Sequence, residues 1–194
     1  MGAPNAVIFA IRRRLPPDQT REATVSKLHY LAFGSNLHPI RLGERVPSAR
    51  LLGRVELTGY RLAFHKRGAD GSGKGDLVAA AEGSLAVGAL FEMAAEDKPN
   101  LDAAEGAGYR CDTMTVELGG RPFEAFVYRG EAPYIDPELR PFRWYRDVIW
   151  HGARFNGAPS AYLDAIAAVS AMEDPDPDRR ERHDALLERI RRAD

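Results

Sequence analysis

Asp102 and Glu105 stand three residues apart in Leu101-Asp102-Ala103-Ala104-Glu105-Gly106-Ala107-Gly108-Tyr109, a stretch otherwise made of small and apolar residues. On a helix the two carboxylates share a face. Glu105 falls at the end of that helix, where the dipole disfavours a negative charge. It is either an exposed charge or a carboxylate kept there to move a proton. A second segment, Tyr30-Leu31-Ala32-Phe33-Gly34-Ser35-Asn36-Leu37, ends an apolar strand in Gly-Ser-Asn before His38-Pro39 can open a helix. Successive N–H groups at such a strand-to-helix turn can converge on an anion or a developing oxyanion. By residue type alone, a plain turn and an anion-binding loop are equally consistent with it.

Other candidates carry less. Gly68-Ala69-Asp70-Gly71-Ser72-Gly73-Lys74 has the spacing of a phosphate-binding loop, but Gly75 stands where a hydroxyl should ligate magnesium. The residues after it shift to period two, not to the helix whose N-terminus such a loop needs. A flexible loop between strands is the better reading, long enough to cover a pocket. His29, His38, His65, His151 and His183 show no metal-binding spacing. Cys111 is read as a small strand residue, because a thiol nucleophile needs a partner base that the sequence does not reveal.

The elements that must position these residues are mostly strands. Leu28 to Ala32, Arg54 to Phe64 with Gly59 as a bulge, and Ser84 to Met93 read as strands. Thr113 to Leu118 and Phe123 to Tyr128, joined at Gly119-Gly120, read as a hairpin. Helices are expected over Pro39 to Arg45, Ala95 to Ala104, Pro141 to Phe155 and Pro159 to Ala171. Strands do not strictly alternate with helices, which disfavours a doubly wound fold. Residues 1–27 are expected to be a disordered leader or an over-extended start, and 28–171 the domain. Residues 172–194 read as an acidic linker and an amphipathic helix capped by Asp178. The 194 residues carry 27 basic and 28 acidic side chains, a balance that gives no general footprint for nucleic acid. One cysteine excludes an internal disulfide, and no apolar run reaches membrane-spanning length. A cytoplasmic location, no metal or cofactor, and a monomer or homodimer are expected.

These segments together resemble the gamma-glutamylcyclotransferase family, which includes AIG2-like and BtrG-type proteins. Its Tyr-Gly-Ser-Asn-Leu turn reads Phe33-Gly34-Ser35-Asn36-Leu37 here, and its Leu-Asp-x-x-Glu-Gly run with a following tyrosine is matched by Leu101, Asp102, Glu105, Gly106 and Tyr109. Tyr145, His151-Gly152-Ala153 and Asn156-Gly157-Ala158-Pro159 form a third match, and Gly71 to Lys74 a fourth. The resemblance runs from Leu28 to Val169. Phe33 departs from it, removing a hydroxyl but no backbone donor. The resemblance implies an α+β fold, a small mixed β-barrel with surrounding helices and a cavity at one end. It implies cyclisation of a gamma-glutamyl amide to 5-oxoproline with release of the free amine. In that reading Glu105 is the catalytic base, and Tyr30, Leu31, Ala32, Phe33, Gly34, Ser35 and Tyr145 bind substrate, with Tyr109 lining the pocket. A non-catalytic binding module on the same fold and a regulatory interaction protein are the alternatives.

Overall fold

A computed structural model describes residues 26–193. Most of the leader expected over 1–27 therefore lies outside the described residues. Strand β1 (Lys27–Ala32) runs through the middle of a five-stranded sheet of order β2-β5-β1-β7-β6. It pairs antiparallel with β5 (Leu85–Ala94) and parallel with β7 (Arg121–Gly130). Being covered on both faces and both edges, its last three residues are buried, as their apolar types require. The hairpin of β6 (Tyr109–Leu118) and β7 keeps register from Tyr109 opposite Gly130 to Leu118 opposite Arg121. Gly119 and Gly120, at φ of 59° and 72°, supply the left-handed turn that matches strand twist.

Arg54 to Phe64 is not one strand. It is divided between β2 (Arg50–Thr58), on the edge of the large sheet, and β3 (Tyr60–Arg67), paired with β4 (Gly73–Ala79) in a separate two-stranded sheet. Gly59, at φ 78°, makes the corner, and its N–H and C=O bond Ser84 and Ala80. Apolar alternation cannot reveal such a change of sheet, because side chains keep pointing to alternate faces whichever sheet a strand joins.

The large sheet is also not closed into a barrel, which corrects the expected geometry while keeping the α+β class. Its edges β2 and β6 approach one another, since a Cβ built at Gly53 would lie 2.9 Å from Leu118 Cδ1, but no ladder joins them. The two strands that follow β2 are instead committed to the β3–β4 hairpin, which covers one face. The hairpin is held there by Arg129 Nε on Leu77 O at 3.1 Å and Gly130 N on Asp76 Oδ1 at 2.7 Å. Between hairpin and sheet lies a core of Leu31, Val55, Leu77, Leu90 and Val127.

Helices cover the other face. They are α1 (Pro39–Gly43), α2 (Lys98–Glu105), α3 (Arg143–Phe155), α4 (Ser160–Ala167) and α5 (Pro177–Arg191). Tyr145, Val148, Ile149 and Ala153 of α3 pack with Phe91 and Met93 of β5, and Leu186, Leu187 and Ile190 of α5 join the same core. Each such aliphatic side chain contributes about 1.5–3 kcal/mol on burial. Asp176 caps α5, accepting from Arg179 N at 2.9 Å, with Pro177 at the first helical position. Asp178, expected as the cap, lies inside the helix. Asp174, in the segment before it, is buried and receives Trp144 Nε1 at 2.8 Å and a forked pair from Arg179 at 2.6 and 2.5 Å. Among the described residues no helix is long and apolar enough to cross a membrane.

Candidate active site

The strand β1 delivers its chain into a turn closed by Leu37 N on Gly34 O at 3.0 Å, and α1 begins directly after it. The N–H groups of Gly34 and Ser35 bond no other group among the described residues. Both residues line a narrow recess together with Tyr30, Phe33, Asn36, Gly75, Glu105, Tyr109, Tyr128 and Tyr145. The recess opens into a cavity of about 460 Å³, to which Ser35, Glu105, Tyr109 and Tyr145 also belong.

Glu105 reaches this place because α2 stops there, with Gly106 at φ 68° turning the chain away from the helix. Its carboxylate accepts Asn36 Nδ2 at 2.7 Å and lies 3.7 Å from Arg45 Nη1. Asn36, itself buried, also donates to Tyr30 Oη at 3.1 Å and accepts Arg45 Nη1 at 2.9 Å. Burial raises the pKa of Glu105, opposed first by the Arg45 charge and then by the Asn36 hydrogen bond. Asp102 does not enter the site. It pairs with Lys98 at 2.7 Å and bonds Tyr128, and lines neither the recess nor the cavity.

Gly75 organises the two remaining tyrosines. Its N–H donates to Tyr145 Oη at 3.0 Å, and its carbonyl accepts Tyr109 Oη at 2.7 Å. The Ser35 hydroxyl also bonds the Tyr145 oxygen, and desolvation raises the pKa of both phenols. The glycine-rich segment expected as a flexible loop is a compact turn. Asp70 binds Ser72 N and Oγ at 3.0 and 2.8 Å and Lys74 Nζ at 2.7 Å, and Lys74 already belongs to β4. No helix follows it, so its N–H groups gain no helix dipole.

Of the residues assigned to substrate, Tyr30, Phe33, Gly34, Ser35, Tyr109 and Tyr145 are brought together, with Glu105, the expected base, among them. Leu31 and Ala32 are not: both are fully buried and line neither space. Alternation along β1 sends Leu31 to the hairpin-side core, and Ala32 packs into the helix-side core. Lys74 lines the cavity from the glycine-rich segment read as able to cover a pocket, whereas sequence reasoning missed Arg41, Arg45, Lys66, Arg67, Tyr134 and Trp144 in its wall. The i, i+4 spacing of Arg41 and Arg45, directly after the turn, was the available signal for those two. The other four come from distant segments and left none. Cys111 is on exposed β6, outside the site.

Comparison with known proteins bears on this geometry. A gamma-glutamyl cyclotransferase structure superposes with a TM-score of 0.72 at 20% identity, covering 84% of this chain and 99% of that one. Residues 86–166 match the AIG2-like family. This is a gamma-glutamyl cyclotransferase fold with an AIG2-like segment. An uncharacterised protein from Homo sapiens shares the same fold, with a TM-score of 0.69, 22% identity, and coverage of 84% of this chain and 98% of that one. YkqA from Bacillus subtilis does so at 0.60 and 19%, over 75% of this chain and 56% of its own. No curated protein matches by sequence. The AIG2-like segment contains α2 with Glu105, β6, β7 and Tyr145, whereas the 33–35 turn and the glycine-rich turn lie outside it.

Proposed function

We propose that this AIG2-like protein cyclises a gamma-glutamyl amide to 5-oxoproline. The observation that carries the reading is a half-buried carboxylate, Glu105, sharing a recess with Gly34 and Ser35, whose N–H groups are unengaged among the described residues. In the reaction the substrate's neutral α-amine attacks its own γ-carbonyl carbon and closes a five-membered ring. Gly34 and Ser35 donate to the oxygen as it gains charge. Glu105 takes the proton released by the attacking nitrogen and returns it to the departing one as the amide C–N bond breaks. The free amine leaves, and no proton is gained or lost overall. Holding nucleophile and carbonyl in one recess is worth roughly 7–11 kcal/mol for an intramolecular attack, so placement and one base suffice. A carboxyl raised by burial is a better match for an amine proton than an ordinary glutamate.

Replacing Glu105 with Gln retains the Asn36 contact through its amide oxygen and removes the base. Release of 5-oxoproline from gamma-glutamyl amides is expected to fall by ~10²–10⁴ while the circular dichroism spectrum stays unchanged. Near-normal turnover in Glu105→Gln, or glutamate as the product, overturns the proposal, because water attack yields glutamate. An N-acylated substrate, lacking the nucleophile, is expected to be inert.

A further inference from the structure

Arg41 lines two spaces. One is the catalytic cavity, and the other is a cavity of about 330 Å³ between α1 and α5 that the proposed reaction does not use. The lining of this second cavity includes Arg41 and Glu44 from the α1 end and Arg182, His183, Leu186 and Arg189 of α5. Positions 182, 186 and 189 follow the i, i+4, i+7 spacing of one helix face. The buried Leu186 therefore stands between two exposed arginines.

One carboxylate serves three guanidiniums there. Glu44 accepts Arg41 Nη1 at 3.1 Å and Arg189 Nη1 at 2.6 Å. The Arg182 guanidinium forms no hydrogen bond or ion pair among the described residues, and no acid of α5 lines the cavity. Arg41, half-buried, makes a single side-chain hydrogen bond of the five it can donate, and its Nε is buried without an acceptor. Burial and the Arg45 charge lower its pKa, so its charge is held at a cost that a nearby anion offsets. His183 is neutral near pH 7, which leaves an excess of two positive charges on the lining. Guanidiniums supplied by two helices suit a tetrahedral dianion with three acceptor oxygens better than a planar monoanion, which one guanidinium can satisfy edge-on.

The same elements touch the catalytic cavity. Arg41 lines it directly, and its charge is among those that lower the Glu105 pKa. His183 stacks on Trp144, a residue of its wall, with ring centres 3.5 Å apart. We infer that the α1–α5 cavity binds the phosphoryl group of a small metabolite, and that this occupant acts on the catalytic cavity through Arg41. The volume falls at the lower end of the range for small-molecule sites. An anion beside Arg41 counters one of the charges that favour ionised Glu105, so the acidic limb of activity moves to higher pH. The binding stands apart from the cyclotransferase reading, whereas the effect on activity rests on it.

Calorimetric titration of the full chain with inorganic phosphate, at neutral pH and with ionic strength held by chloride, tests the site. Saturable binding is expected, weakened about 10- to 100-fold in the double variant Arg182→Gln/Arg189→Gln by loss of charge-assisted hydrogen bonds. Both side chains are exposed and line only this cavity, so the variant is expected to fold. No saturable binding to wild type overturns the site, as does undiminished affinity in the folded variant, which would put the anion elsewhere. Citrate bound as tightly as phosphate overturns the phosphoryl assignment. The coupling is read in a pH series of 5-oxoproline release with and without sulfate, a tetrahedral dianion that keeps its charge through the acidic range. The acidic limb is expected to move to higher pH in wild type and to stay in place in the double variant. An unmoved limb in sulfate-saturated wild type overturns the link through Arg41. If no gamma-glutamyl amide yields 5-oxoproline, the reaction assignment fails, and the titration still decides the site.

Discussion

Burial and the Arg45 guanidinium act on the Glu105 carboxyl in opposite directions, and burial prevails. A base must be ionised to work and basic enough to hold a proton, so this opposition sets the pH at which the site operates. Removing Arg45 as Met deletes the first of the influences that lower the Glu105 pKa. The acidic limb of the kcat/KM profile is therefore expected to move to higher pH, read by 5-oxoproline release across a pH series. An unchanged limb would mean that another group limits the rate. In wild type, activity is expected to rise with pH as the amine–carboxylate pair loses a proton, then level off. Asn36 acts in the same sense through its hydrogen bond and also fixes the carboxylate's direction, being held itself by Arg45.

Between residues and the whole chain, two elements determine the shape of the cavity. The first is the link from α2 to β6. Gly108 has φ 86°, and a Cβ there would lie 2.5 Å from Tyr134 Cγ and 2.9 Å from Lys66 Cε. Gly108→Ala is expected to cost about 1–3 kcal/mol from the left-handed backbone. It should also displace Tyr134 and Lys66 from the cavity wall, raising KM for gamma-glutamyl amides in a 5-oxoproline release assay. The second is the start of α5. Asp174 holds Trp144 from behind, and His183 stacks on that ring at 3.5 Å and 11°, so α5 supports a wall of the cavity without lining it. Burial and the neighbouring cations push the His183 pKa down to about 4, which keeps the ring neutral near pH 7. Asp174→Ala leaves Arg179 and Trp144 without their acceptor. We expect a loss of about 3 kcal/mol, the low end for a broken buried pair because Arg179 is partly exposed. Urea unfolding monitored by fluorescence measures it.

At the scale of the whole molecule, Asp174 also links stability to pH. Its hydrogen bonds hold its folded-state pKa below the ordinary carboxylate value despite burial. The unfolded chain therefore binds that proton more tightly, and the contribution is fully present above the unfolded pKa of about 3.9. It is lost as pH falls through the lower folded value. Melting temperature should fall below about pH 4 in wild type, and Asp174→Asn should show a shallower fall over the same range. An identical acid slope in the two proteins would show that other carboxylates set it.

What the sequence determined by itself was local. The Gly119-Gly120 hairpin, the end of α2 at Gly106 and the apolar stripe of α3 follow from glycine's conformational range and from helical and strand periodicity. Glu105 and the 33–35 turn stood out because their residue types conflict with their immediate surroundings, but short-range rules left each open between a plain and a functional role, and only the family resemblance chose between them. Only the tertiary structure decided that the chain changes sheets at Gly59, that the large sheet remains open, and that Asp174 is buried. It alone joined Asn36, Arg45, Lys66 and Lys74 to Glu105, and set Lys66 opposite Lys74. Periodicity states which face of an element is buried but not which element covers it. The charge of a lysine is visible in a sequence, whereas which carboxylates stand near it is a property of the space around it.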